Sequence, residues 1–374
     1  AIAAELHEGI TTYIHPDERG AGYFAIGLTK KKRQPVGILC TSGTAAANYT
    51  PAVSEAGLSH LPLIVLTSDR PHELKNVGAP QAIEQNNMYS NFVRYQTELP
   101  IADDHDSAES LINDKVLQAS QYFNGINMGP VHFNIPVREP IMPNIERLDL
   151  FKRTQKKRVP AITIPGNIEK LTGTGLVIIG ETAEDLTPLK PILEQGNIIT
   201  VFDPRQNLRT EVKDGIVNHD MMFSNFGDRH REYINSNVDF IIRIGEPVTS
   251  KQTNAFLKQT TIPQYLISEF QNIKPFPVTP DETYVGTVNE ILPGMINDDF
   301  KSDVKDRLIS LSENINNYID THIEKFDDEG RYVYDIIQET DEERTFFLSS
   351  SMPIRDFERY DTRVTHDVFA NRGA

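Results

Sequence analysis

Between Tyr13 and about Val137, short apolar runs alternate with longer amphipathic or Ala-rich stretches. "TTYIH", "VGILC", "LPLIVLTS" and "VHFNIPV" read as strands and the stretches between them as helices, the order of a mostly parallel sheet covered by helices. A polar, Pro-bearing segment, "REPIMPNIERLDLFKRTQKKRVPAITIPGN", follows and reads as a linker. A second alternating series, "GLVIIG", "NIITVFD", "VDFIIRIG" and "IPQYLIS", ends near Val278 and predicts a second α/β layer system. From Ser302 to Phe326, apolar residues recur at Val304, Leu308, Leu311, Ile315, Tyr318, Ile319, Ile323 and Phe326, close to a period of 3.6, so one long helix with one buried face is expected. A third start then appears in "RTFFLSSSMPIRD", with "THDVFANRGA" as a further strand end.

The expected fold is α/β, with tandem open, mostly parallel sheets flanked by helices. The expected domains are 1–150, 151–330 with the long helix at its end, and 331–374 as the opening of a third unit. The chain begins at Ala1 within what reads as the middle of an element and stops on a turn signal, so a piece of a longer polypeptide is expected.

Composition narrows the function classes. A chain of 374 residues is long enough for two or three domains, each with its own core. Its formal net charge of -16 argues against binding to nucleic acid or to an anionic membrane surface. The one cysteine, Cys40, cannot form an internal disulfide, and no apolar run approaches a membrane span, which fits a cytoplasmic setting. Ten histidines are scattered without ligand spacing, so no zinc site is expected, and His132 within "VHFNIPV" reads as a core or sheet residue. The basic runs "KKKR" and "KRTQKKR" read as solvated faces.

Four stretches carry candidate chemistry. In "YIHPDERGAGYFAIGL", Asp17, Glu18 and Arg19 stand at the start of a helical segment, where a carboxylate either complements the helix N-terminus or does something else. In "VGILCTSGTAAANYTPAVSEAGL", a buried strand runs into a turn of small and hydroxyl residues. Small side chains there let a ligand approach free backbone N–H groups, although an ordinary βα turn has the same look. In "LPLIVLTSDRPHELKNVGAPQAIEQ", Asp69 and Arg70 lie just beyond a strand's carboxyl end, where ligands of open α/β sheets collect. Arg70 could fork onto a substrate carboxylate or pair with Asp69 or Glu73. Last, Arg355 in "SSSMPIRD" and Arg372 in "NRGA" lie near the ends of successive strand-like runs, which suits a small polyanion as well as it suits solvent.

In order along the chain, "HPDERGAGYFAIGL", "CTSGTAAANYTPAVSEA", "IVLTSDRPHEL", "GAPQAIEQ", "SMPIRD" and "ANRGA" resemble the thiamine-diphosphate-dependent synthases of 2-succinyl-5-enolpyruvyl-6-hydroxy-3-cyclohexene-1-carboxylate in menaquinone biosynthesis. The resemblance implies a thiamine-diphosphate-binding fold followed by a Rossmann-like central domain. The first domain would hold the cofactor's pyrimidine and the segment from 331 would open the diphosphate-binding domain. It implies Glu18 as the carboxylate that hydrogen-bonds the aminopyrimidine ring, with Gly20 and Gly22 giving room and Tyr23, Phe24, Ile26 and Leu28 anchoring the helix. Gly43, Thr44 and Asn48 would be cofactor neighbours. Arg70, Gln81, Lys251, Ser351, Arg355 and Arg372 would be substrate contacts.

The implied reaction is decarboxylation of 2-oxoglutarate on thiamine diphosphate and addition of the succinyl-semialdehyde carbanion to isochorismate. Mg2+ or Mn2+ would accompany the diphosphate, with ligands outside these 374 residues, since the family's Gly-Asp-Gly motif does not occur in them. The implied assembly is a homodimer or homotetramer with the active site between subunits. Ser350 stands where the family usually has Asn, and Gln252 where Arg is common. Two other readings remain open: another thiamine-dependent 2-oxoacid decarboxylase or carboligase, and a non-catalytic ligand-binding piece.

Overall fold

The computed structural model describes residues 2–5, 9–101, 106–139, 141, 168–224, 228–270, 276–296 and 299–371. They fall into two units, 1–161 and 162–373. The expected linker lies almost wholly outside the described residues, as do the run "KRTQKKR" and Arg372.

In the first unit, α1 (Ile2–Glu5) and α2 (Glu18–Lys32) precede β1 (Val36–Cys40). Helices α3 (Thr44–Asn48) and α4 (Thr50–Leu58) lead to β2 (Leu63–Asp69), and β3 (Tyr95–Glu98), α5 (Asp106–Ser120) and β4 (Val131–Pro136) follow. The strands are parallel in the order β1-β2-β4-β3, so the carboxyl ends at Cys40, Asp69 and Pro136 share one edge of the sheet. Helix α2 starts where Asp17, in an extended conformation, accepts the Gly20 N–H at 2.7 Å. Ala25 and Ile26 bury its inner face, and a Cβ on Gly22 would stand 2.7 Å from that of Ala52 on α4.

Several expectations change here. "TTYIH" is not a strand: Tyr13 and Ile14 are exposed, and His15 Nδ1 contacts the backbone of Asp17 in the turn that opens α2. Gly20 and Gly22 give room to the chain's own His15 and Ala52. Tyr23 and Phe24 face outward, which leaves the anchoring to Ala25 and Ile26, and Lys30 of the "KKKR" run is buried. His132 is a core sheet residue as expected, 2.8 Å from the Thr67 hydroxyl.

The second unit contains β5 (Gly175–Ile179), α6 (Lys190–Leu193), β6 (Ile198–Phe202), α7 (His219–Met222), α8 (Asp228–Asn237), β7 (Phe240–Ile244), α9 (Lys251–Gln259), β8 (Gln264–Ser268) and β9 (Glu282–Val285). Then come α10 (Val288–Met295), α11 (Asp303–His322), α12 (Glu329–Glu339), β10 (Phe346–Leu348), α13 (Met352–Tyr360) and β11 (Val368–Ala370). Five parallel strands lie in the order β6-β5-β7-β8-β9. β5, β6 and β7 are buried throughout, as expected for strands covered on both faces. One face packs Val177, Ile179, Ile242 and Ile267 against Val288, Ile291, Leu292 and Met295 of α10. The other packs Leu176, Ile178, Val201 and Ile241 with Phe256 and Leu257 of α9 and Val304 and Leu308 of α11, which is the long helix expected. At the strand-order reversal between β5 and β7, the chain's own backbone closes the crevice. Gly180 N–H donates to the Ile244 carbonyl and Glu246 N–H to the Glu181 carbonyl, both at 2.9 Å. A Cβ on Gly180 would collide with the Glu246 carbonyl.

The α/β architecture is as expected. β3 and β9 were not legible in the sequence: both are short edge strands without a buried apolar run. Among the described residues no helix is long and apolar enough to cross a membrane.

Candidate active site

The first unit gathers its candidate residues at the carboxyl edge of its sheet. Asp17 takes the side-chain capping role at α2, and Glu18, the first residue of that helix, stands in its first turn, where a carboxylate also complements the helix N-terminus. Among the described residues no hydrogen bond or ion pair engages the Glu18 carboxylate, which is half-buried. It lies close enough to the end of β1 to add to the effect of burial on Cys40, whose thiol is pushed up to about 12. The same two causes, burial first, raise Tyr49, together with the Cys40 charge. Glu18 therefore stands unengaged near the buried Cys40 and Tyr49 side chains.

Gly43 caps α3 with φ 86°, in the region that favours glycine, and a Cβ there would stand 3.2 Å from Gln81 Cα. Chain 81–85 thus lies directly against the small-residue turn. Gly43 N–H donates to Gln85 Oε1 at 2.8 Å, while Gln85 Nε2 donates to the Ser68 carbonyl and to Asn134 Oδ1, each at 2.9 Å. Gln85 is fully buried and joins three strand ends. Thr44 and Asn48 are exposed on α3, where Asn48 Nδ2 donates to the Thr44 carbonyl at 3.1 Å.

Arg70 does not pair with Asp69 or Glu73. Its Nε donates to the Pro80 carbonyl at 3.2 Å, and its own N–H donates to Asp69 Oδ1 at 2.8 Å. Glu73 is taken by Arg138 at 2.7 Å and Asp69 by Lys75 at 2.8 Å. Arg70 is thereby brought to the segment that carries Gln81, which itself holds φ 56°. A positive φ in a non-glycine residue is a strain that proteins retain mostly at functional positions.

Below these residues lies a polar network that sequence reasoning missed. Asn134 Nδ2 donates to Asp69 Oδ2 at 2.7 Å and to Glu98 Oε2 at 3.0 Å, its Oδ1 accepts the Thr67 hydroxyl at 3.0 Å, and Lys75 reaches Glu98 at 2.7 Å. Burial opposes the charge on Lys75, but the hydrogen bonds it donates to Asp69 and Glu98 outweigh it and raise the ammonium above its ordinary value. The available signal was Asn134 and His132 interrupting an otherwise apolar strand.

In the second unit, Lys251 is the exposed first residue of α9 and Arg355 lies on α13. Ser351 caps α13 with φ 77° and ψ -121° and makes no side-chain cap bond, one of eight described non-glycine residues with positive φ. The neighbouring Ser350 hydroxyl donates to the Asn371 carbonyl at 3.1 Å, joining the carboxyl ends of β10 and β11. Among the described residues, no group of three His, Cys, Asp or Glu could hold a metal ion.

Residues 1–88 match a family model described as thiamine pyrophosphate enzyme, N-terminal TPP binding domain. Over 386 aligned positions the chain is 40% identical to the 2-succinyl-5-enolpyruvyl-6-hydroxy-3-cyclohexene-1-carboxylate synthase of Staphylococcus aureus strain JH9, a match that takes in 100% of the chain and 67% of the relative. The synthases of strains USA300 and N315 give the same figures.

Proposed function

Since the chain belongs to the family of 2-succinyl-5-enolpyruvyl-6-hydroxy-3-cyclohexene-1-carboxylate synthases, thiamine-diphosphate-dependent enzymes of menaquinone biosynthesis, we propose that it decarboxylates 2-oxoglutarate and joins the remaining four-carbon unit to isochorismate. The observation that carries this reading is the Glu18 carboxylate at the start of α2, engaged by no hydrogen bond or ion pair among the described residues and close enough to act on Cys40 at the end of β1.

These residues fit the pyrimidine end of the cofactor. An unengaged acid stands at the carboxyl edge of the sheet, and the missing Cβ of Gly43 lets the Gln81 backbone close against the small-residue turn beside it. When bound, the cofactor supplies the electron sink that the decarboxylation requires. Glu18 holds or gives a proton at a pyrimidine ring nitrogen. Gly43, whose N–H and carbonyl are engaged by Gln85 and Ala46, would neighbour the ring through van der Waals contact, with Thr44 and Asn48 flanking it. Arg70 and Gln81 bind carboxylate and hydroxyl oxygens of substrate, and Arg70 keeps the Pro80 carbonyl as its fixed point. Lys251, Ser351, Arg355 and Arg372 receive the second substrate. Two dianionic substrates account for several cationic candidate contacts in a chain of net charge -16.

Within this reading, 1–150 is the pyrimidine-binding domain, 151–330 the central domain and 331–374 the opening of the diphosphate-binding domain. Mg2+ or Mn2+ accompanies the diphosphate. The exposed apolar side chains Tyr13, Ile14, Tyr23, Phe24 and Leu39 on α2, its lead-in and β1 support assembly into a homodimer or homotetramer through this face, in the cytoplasm.

The test is Glu18→Gln in the holoenzyme. Turnover should fall by at least a hundredfold while the circular dichroism spectrum is unchanged, and near-normal turnover would sink the assignment. Product analysis with 2-oxoglutarate alone and then with isochorismate separates this activity from that of a different carboligase.

A further inference from the structure

Lys251 sits between two residues that bind one carboxylate oxygen. Asp220 on α7 is buried, and its Oδ1 accepts the Ser250 hydroxyl at 2.7 Å and the Gln252 N–H at 3.2 Å. The Ser250 hydroxyl also accepts the Thr253 N–H at 3.0 Å as the cap of α9, so its donor and acceptor directions are both fixed. One residue earlier, Asp203 Oδ2 accepts both the N–H and the hydroxyl of Thr249, at 2.6 and 3.0 Å. Two buried carboxylates therefore set residues 249–252.

The other oxygen of Asp220 reaches a different element. Oδ2 accepts Arg359 Nε at 2.9 Å on α13, and the Asp220 N–H donates to Glu358 Oε1 at 2.8 Å on the same helix. Glu358 Oε1 also stands 3.3 Å from His219 Nε2, whose Nδ1 is 2.7 Å from the Thr253 hydroxyl, so α7 is bound on both sides. Arg355 precedes Arg359 by four residues, one turn along the same helix face. Burial pushes the Asp220 carboxyl up, but the Ser250 hydroxyl, the Gln252 amide and the Arg359 guanidinium outweigh it and hold the group ionised below the usual carboxylate range.

We infer that Asp220 is a positioning residue for the carboxylate-bearing second substrate: one oxygen fixes the backbone under Lys251, the other fixes the helix face that carries Arg355, and the two cations are thereby held in one arrangement. This rests on the reading of Lys251 and Arg355 as substrate contacts. Asp220 itself touches neither the cofactor nor the reacting atoms. Its effect is on binding of one substrate and leaves the chemistry of the other alone.

The test is steady-state kinetics of the holoenzyme carrying Asp220→Asn, Ser250→Ala, both together, or Arg355→Ala. Asp220→Asn turns one acceptor into a donor facing either Arg359 or the Ser250 and Gln252 donors, and should raise the KM for isochorismate by tenfold or more. The KM for 2-oxoglutarate and the rate of its decarboxylation without isochorismate should stay within twofold of the parent, a split that general loss of structure would not give. Ser250→Ala, the milder change should Asp220→Asn not fold, should raise the same KM about threefold and add nothing to Asp220→Asn in the double variant. If Arg355→Ala raises the KM while Ser250→Ala and every folded Asp220 variant leave it unchanged, the positioning inference is overturned and the substrate reading stands. If Arg355→Ala itself leaves the KM unchanged, the substrate reading falls and takes the inference with it.

Discussion

Replacing Gln85 by Leu keeps the volume of a fully buried side chain and removes the three hydrogen bonds that tie the Gly43 turn to β2 and β4. The Asn134 Oδ1 retains the Thr67 hydroxyl, so its loss is small. The Gly43 N–H and the Ser68 carbonyl lose the partners the amide gave them. At about 1 to 3 kcal/mol for each buried polar group left unmatched, the variant should lose about 3 kcal/mol of stability. Part of that loss should be local. Without the Gln85 acceptor, Gly43 no longer holds its φ of 86° against Gln81, and thiamine diphosphate should bind at least tenfold more weakly, a change of about 1.4 kcal/mol. With no tryptophan in the chain, urea unfolding is followed by far-ultraviolet circular dichroism, and cofactor affinity by calorimetry. Gln85→Glu should be no better: it keeps the acceptor for Gly43, loses both donors and adds a charge beside a network that already contains Asp69 and Glu98. A Gln85→Leu protein within about 0.5 kcal/mol of the parent, with unchanged cofactor affinity, would show that the turn is held by something else.

Two further outcomes follow from buried titratable groups. Arg243 on β7 is buried, donates from Nη2 to the Val278 carbonyl at 2.9 Å, and has no partner at Nε or Nη1 among the described residues; burial pulls its guanidinium down to about 10. Arg243→Met should therefore raise unfolding stability by about 1 to 2 kcal/mol in urea titrations, and a destabilised variant would refute the cost assigned to the unpaired cation. Burial lowers His132 from 6.5 to about 4, with the Asp69 charge opposing only weakly, so the ring stays neutral in the fold. Its contribution is present above pH 6.5 and is lost as pH falls through about 4. Over that window, some 2.5 units, stability should drop by about 3 kcal/mol. His132→Gln should flatten the slope of urea midpoints between neutral pH and about 4.5, and an unchanged slope would assign the acid sensitivity to other groups.

The sequence showed most clearly what is continuous along it. Buried strands such as "GLVIIG" and "VDFIIRIG" are legible because strands covered on both faces must be apolar throughout, and α11 because its buried face repeats at 3.6 residues. The edge strands β3 and β9 escaped because an edge strand is half-solvated and has no such requirement. "TTYIH" misled for the opposite reason. Its polar-apolar order imitates a strand, but the residues lead into the Asp17 cap, and Tyr13 packs on Phe24 at the surface. Glu18, Gly43, Arg70 and Gln81 stand out in the sequence because each lies in a local motif.

Gln85, Asn134 and Asp220 were not legible, and the reason is geometric. Gln85 acts across 42 residues of sequence to Gly43 and 49 to Asn134, and Asp220 acts across 139 to Arg359. Each is a buried polar side chain whose role is defined by the partners that the fold brings to it, and a buried amide or carboxylate with every bond taken tolerates little displacement of those partners. Glu18 and Lys251 make no hydrogen bond or ion pair through their side chains among the described residues, whereas the polar atoms of Gln85 and Asp220 are all engaged. In both units the candidate contact positions stand in short motifs, while their geometry depends on side chains far away in sequence. A variant at Gln85 or Asp220 should accordingly change affinity without touching any atom of the ligand.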